Sequence, residues 1–125
     1  MGWDIEISEP DGIIHAVASG EFTMDAVRRI TSEGMEMALK HGVTKFLADL
    51  RAVTSRVSTV QIYLLPKVLD ALGLSCDSRV ALVIAKDPKQ ECDYRFYQTV
   101  SGNQGFVVGL FHEPHAARQW LMGGV

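Results

Sequence analysis

The chain has 125 residues, of which 47% are hydrophobic, and a formal charge of −3 at pH 7. That length and apolar content suit one domain, residues 1–125, with a core of its own, and they argue against disorder. The acidic balance, with a pI of about 5.7, and the lack of any basic cluster denser than Arg28-Arg29 argue against nucleic acid and anionic membrane surfaces as partners.

Trp3-Asp4-Ile5-Glu6-Ile7 alternates apolar and polar side chains, the period of a half-buried strand. Pro10-Asp11-Gly12 is a turn, and Ile13 to Ala18 reads as a second strand ended by Gly20, so the chain opens with a hairpin. Thr23 caps a first helix, Val27, Ile30, Met37 and Ala38 give its inner face, and Gly42 stops it. Gly34 lies on that face and is expected to allow close packing. Lys45 to Leu50 is a short buried strand closed by Asp49 and Leu50.

Ser58 caps a second helix whose face is Val60, Tyr63, Leu64, Val68 and Leu72. Pro66 predicts a bend or two short helices there, because an interior proline removes a hydrogen bond and clashes with the preceding turn. Arg79 to Ala85 is the clearest buried strand, nearly continuous in apolar residues as a parallel sheet requires. Pro88 opens a third helix with Cys92, Phe96 and Val100 facing inward. Phe106 to Phe111 is the last strand, and Pro114 opens a final helix with Ala117, Trp120 and Leu121 inside. The order β-β-α-β-α-β-α-β-α predicts an α/β fold, a mixed sheet with helices packed on it.

Three strings carry a resemblance: Lys45-Phe46-Leu47-Ala48-Asp49-Leu50-Arg51, Gly105 to Phe111, and Ala116-Ala117-Arg118-Gln119-Trp120-Leu121. In their order and spacing they resemble the central strand, last strand and closing helix of the SpoIIAA-like (STAS-like) family. These proteins are distant relatives of anti-sigma-factor antagonists and of CRAL-TRIO lipid-binding domains. The resemblance implies a non-enzymatic regulatory or protein-interaction module, with a protein partner or a second copy as partner. The CRAL-TRIO relation implies an alternative, a carrier or sensor for a small apolar or lipid-like ligand held between helices. The likeness to anti-sigma-factor antagonists puts Ser58 on their phospho-acceptor position, but Val57 and Val60 stand where that motif has Asp and Gly. The plainer reading of Ser58 is a helix cap.

Ligands in open α/β sheets bind beyond the carboxyl ends of the strands. Asp49, Arg51, Ser55, Ser58, Lys86 and His112 are expected near that edge, with Tyr63 and Tyr94 as candidate ligand or partner contacts on the helices. Asp49 is expected to pair with Arg51 or cap the next turn; an enzyme using Asp49 and His112 is the weaker alternative. His112-Glu113-Pro114-His115 is the string nearest a metal motif, but Pro114 starts a helix between the two histidines, so no metal or cofactor is expected. No nucleophile elbow, P-loop or dinucleotide fingerprint occurs. Cys76 and Cys92 match no zinc or redox spacing and read as free thiols, Cys92 being buried, although a disulfide between them is not forbidden. Without a signal segment or an apolar run of roughly 18 residues, a soluble cytoplasmic protein is the expectation.

Overall fold

The computed structural model describes residues 2–8, 11–74 and 77–123. The chain runs β1 (Gly2–Ser8), β2 (Ile13–Phe22), α1 (Met24–His41), β3 (Lys45–Ser55), α2 (Thr59–Ala71), β4 (Arg79–Val83), α3 (Pro88–Asn103), β5 (Val107–Phe111) and α4 (Pro114–Leu121). This is the element order expected from periodicity. The strands form one sheet in sequence order, with β1 antiparallel to β2 and every later pair parallel. Pro10 of the expected turn and Cys76 lie outside the described residues. Gly12 supplies the left-handed φ of 69° that the first turn needs.

Strands that follow one another across a sheet through right-handed crossovers place all their crossover helices on one face. That is the arrangement here. Residues of α1, α2 and α3 pack with Leu82 and Val108 on one face of the sheet. Ala117 and Leu121 of α4, which follows the last strand, pack with Leu47, Ala81 and Val83 on the other. Alternation along β4 serves both layers, so its buried run is apolar throughout.

Both ends of α1 are as expected. The Thr23 hydroxyl accepts the Ala26 N–H, and Gly42 caps the other end with φ 66°. Inside it, Met35 is buried in the core, not Met37. β2 continues through Gly20 to Phe22, because its later residues still pair with β3.

Two helices turn a different face inward from the one expected. α2 is a single element, Thr59–Ala71, with Pro66 buried inside it, not a pair of short helices. Its buried residues are Ile62, Leu65, Pro66 and Leu69, whereas Val60, Tyr63 and Leu64 are exposed. In α3 the buried residues are Tyr97, Val100 and Ser101; Phe96 is exposed, and Cys92 is an exposed free thiol rather than a buried one. Each of these helices carries two apolar stripes, so periodicity alone does not choose between them. Contact with the sheet does.

Candidate functional site

The central strand is longer than its apolar run implies, and the reason is a β-bulge. Val17 pairs with Asp49 and Ser19 with Ala52, so one residue of β2, Ala18, faces two of β3, Leu50 and Arg51. The extra residue flips the alternation. Leu47, before the bulge, faces α4, whereas Val53, after it, packs with Phe22 and Ala26 of the α1 side. Asp49 therefore sits inside β3, not at the end of a strand.

A bulge leaves a backbone N–H without its ladder partner. Here the Asp49 carboxylate accepts the backbone N–H of Arg51 at 3.2 Å. The same carboxylate accepts Arg51 Nε at 2.9 Å and Nη2 at 2.7 Å, a bidentate pair. Hydrogen bonding to Arg51 holds the carboxyl below its usual range, against the opposing effect of burial. Asp49 is only 8% exposed, and its acceptors are committed to Arg51. This is a group that shapes the strand, poorly placed to take a proton from a substrate.

At the carboxyl edge, the Ser55 hydroxyl accepts the Val57 N–H at 3.2 Å. Ser58 is the cap of α2. Its hydroxyl accepts the Gln61 N–H at 3.2 Å while Gln61 Oε1 accepts the Ser58 N–H at 2.9 Å, a reciprocal capping box. Lys86 is exposed beyond β4. His112 follows β5, where Nδ1–H donates to the Ile84 carbonyl at 3.1 Å and Nε2 meets Glu91 at 3.0 Å. Asp49 and His112 thus have separate partners and form no catalytic pair. Glu113 is the N-cap residue of α4, and Pro114 and His115 are its first two residues. Among the described residues no three His, Cys, Asp or Glu side chains are grouped to hold a metal ion.

An apolar pocket of about 190 Å³ lies between the sheet and α1, α2 and α3. Ser55 and Tyr94 line it together with Gly34, Met35 and Tyr97. Tyr63 is not on its wall: that side chain points outward and is 60% exposed. Burial pushes the hydroxyls of Tyr94 and Tyr97 up to about 12, so both stay protonated and uncharged at neutral pH. The space lies beneath α2, which Pro66 does not break.

Gly34 is the residue whose expected role changes most. It is buried in the middle of α1, yet a Cβ built there would meet nothing within 4 Å. It borders open space and permits no close packing. Its position, mid-helix on the buried face, was visible in the sequence, but as an expectation of close packing. Gln90, whose Nε2 donates to the Val53 carbonyl at 2.9 Å and ties α3 to the end of β3, carried no signal at all.

No family model matches the chain, and no curated protein matches its sequence. Solved structures do. An uncharacterised protein of the DUF3478 family with a SpoIIAA-like fold, from Shewanella loihica PV-4, superposes with a TM-score of 0.63 at 21% identity, over 96% of this chain and 92% of the other. An anti-sigma factor antagonist from Mycobacterium paratuberculosis gives 0.59 at 14% identity, over 96% and 94%. The anti-sigma factor antagonist SpoIIAA in its unphosphorylated form gives 0.58 at 12% identity, over 99% and 100%. Strand order, helix order and these superpositions agree: the chain has a SpoIIAA-like, STAS-like fold.

Proposed function

We propose that the chain is a non-enzymatic regulatory module that acts by binding another protein through the outward face of α2. The observation that carries this reading is the exposure of Val60 (67%), Tyr63 (60%) and Leu64 (44%), three and four residues apart on one side of that helix. Ser58 stands at the start of the same helix, where free N–H groups and the helix dipole favour a negative group on a partner. Two of the similar structures are anti-sigma factor antagonists, which supports a regulatory role by fold alone. The Asp49–Arg51 lock and the separate engagement of His112 support the non-enzymatic part. No helix among the described residues is long and apolar enough to cross a membrane.

The test is affinity purification of the wild-type chain beside a Leu64→Asp variant, with circular dichroism as the check on folding. A stoichiometric partner retained by the wild type and lost by the folded variant is expected. A wild-type chain that stays monomeric and partnerless in its native lysate sinks the proposal. Recovery of a second copy of the chain alone would make the protein its own partner, an isologous dimer across α2. The carrier reading receives no support from the similar structures and rests on the cavity.

A further inference from the structure

β1 and β5 close the sheet at its two ends, and the two edges differ. β5 packs with both α3 and α4, and Gln98 of α3 donates to its Val108 carbonyl at 2.9 Å. β1 lies against α1 on one face, with Trp3, Ile5 and Ile7 half-buried along it. On the other face α4 lies over β3, β4 and β5 and reaches β1 through Arg118 at its last residue, Ser8. Asp4 and Glu6 point to that barer face: Glu6 stands opposite His15, and His15 opposite Leu47, which packs with α4. Both carboxylates are exposed, and Val17 beside Asp4 is 48% exposed. Directly across on β2 stand Val17 and His15, not a lysine or arginine. Neither carboxylate has a hydrogen-bond or ion-pair partner among the described residues. An edge strand presents a row of backbone N–H and C=O groups that template a further strand.

We propose that the free edge of β1 is a strand-addition site for an extended basic segment of another protein, with lysine or arginine at every second position and aliphatic residues between. In strand addition the edge backbone supplies the hydrogen bonds and alternate side chains supply the selectivity. Side chains of an added strand alternate between the two faces of the sheet. One set stands beside Asp4 and Glu6, where cations are favoured and anions disfavoured. The other set stands beside Ile5 and Ile7, which leave apolar surface at the edge. A second copy of the chain does not suit this edge. Two β1 strands joined antiparallel about a two-fold axis keep each face continuous. With the axis at Ile5, Asp4 of each copy meets Glu6 of the other; with the axis at Asp4 or Glu6, that carboxylate meets itself. The charges that keep β1 from its own copies select a cationic strand. The site is separate from the outward face of α2 and does not depend on it.

The test is titration of the 15N-labelled chain with a capped octapeptide of alternating lysine and valine. Its companions are the glutamate–valine counterpart and two lysine peptides with N-methylated backbones, one on every lysine and one on every valine. Saturable shifts centred on β1 and β2 are expected. The glutamate peptide should bind roughly tenfold more weakly or worse. At least one N-methylated peptide should lose roughly tenfold, because it cannot donate to the edge. Asp4→Lys combined with Glu6→Lys should reverse the preference towards the glutamate peptide, whereas Leu64→Asp should leave the lysine peptide's affinity unchanged. No saturable shift in the millimolar range overturns the proposal. So do shifts centred on Val60, Tyr63 and Leu64, a glutamate peptide that binds as tightly, or two N-methylated peptides that both match the parent, which would reduce the effect to charge alone. Concentration-dependent broadening of β1 in the chain by itself would give the edge to a second copy and overturn it as well. The wild-type series carries the charge and backbone criteria, so a lysine variant that fails to fold leaves the proposal fully tested.

Discussion

The two faces of the sheet are packed in opposite ways. On the α4 face, an eight-residue helix is pressed so closely that glycine is needed. A Cβ on Gly109 would stand 2.8 Å from Phe111 Cε2 and 3.2 Å from Trp120 Cη2. Arg79 lies 4.4 Å over the Trp120 ring, and Arg118 donates to Asp11 at 2.9 Å and ties α4 to the first turn. On the α1–α3 face, three helices cover the sheet with about 190 Å³ left between them, and Gly34 looks into that space. One glycine is required because there is no room for a methyl group; the other stands where there is room to spare. The difference teaches that the small face carries packing and the large face carries capacity.

The largest effect is expected at Leu121, which is fully buried under α4. Leu121→Ala should cost about 2–5 kcal/mol, because a tight face cannot collapse around the lost atoms. Urea denaturation measures this, and a cost below about 1 kcal/mol would mean that the α4 face is no tighter than the other. Gly109→Ala should follow at about 1–3 kcal/mol, the usual cost of overpacking, with loss of the Trp120 near-ultraviolet signature. A neutral Gly109→Ala would erase the contrast.

Ser58→Ala should cost about 1 kcal/mol of stability, since it removes half of the capping box; Ser58→Asp should be tolerated. A loss of partner binding by a fully stable Ser58→Ala would give the hydroxyl a role beyond the cap. Gly34→Ala should do the reverse of Gly109→Ala and raise stability by up to about 1 kcal/mol, visible as a higher Tm without ligand. A lower Tm would mean that the space beside Gly34 is occupied in solution.

The last prediction concerns Asp49 and acid. Its folded pKa lies below the ordinary 3.8. The unfolded chain therefore binds the proton more tightly, and the pair's contribution is fully present above that value and lost as pH falls through and below it. Asp49→Asn should flatten the acid limb of the stability profile below about pH 4. An unchanged acid limb would show that the Arg51 pair is not what holds the bulge.

Much of this was legible in the chain itself. Element order follows from local chemistry: alternation in β1, the caps at Thr23 and Ser58, the stop at Gly42, and the prolines that open α3 and α4. Such signals act within a few residues, so they survive being read one segment at a time. The likeness to SpoIIAA-like structures was likewise readable from strings spread along the chain. The faces of α2 and α3 were not, because Val60, Tyr63 and Leu64 are as apolar as Ile62, Leu65 and Leu69, and only the sheet decides which set it covers. The bulge at Asp49 was hidden too. It depends on how many residues of β3 the neighbouring strand can pair, a quantity that no single strand contains. The cavity was hidden for the deepest reason. Empty space has no residue of its own; it is what remains when three helices rest on a sheet, and a glycine marks it only after the fold has shown that nothing comes near.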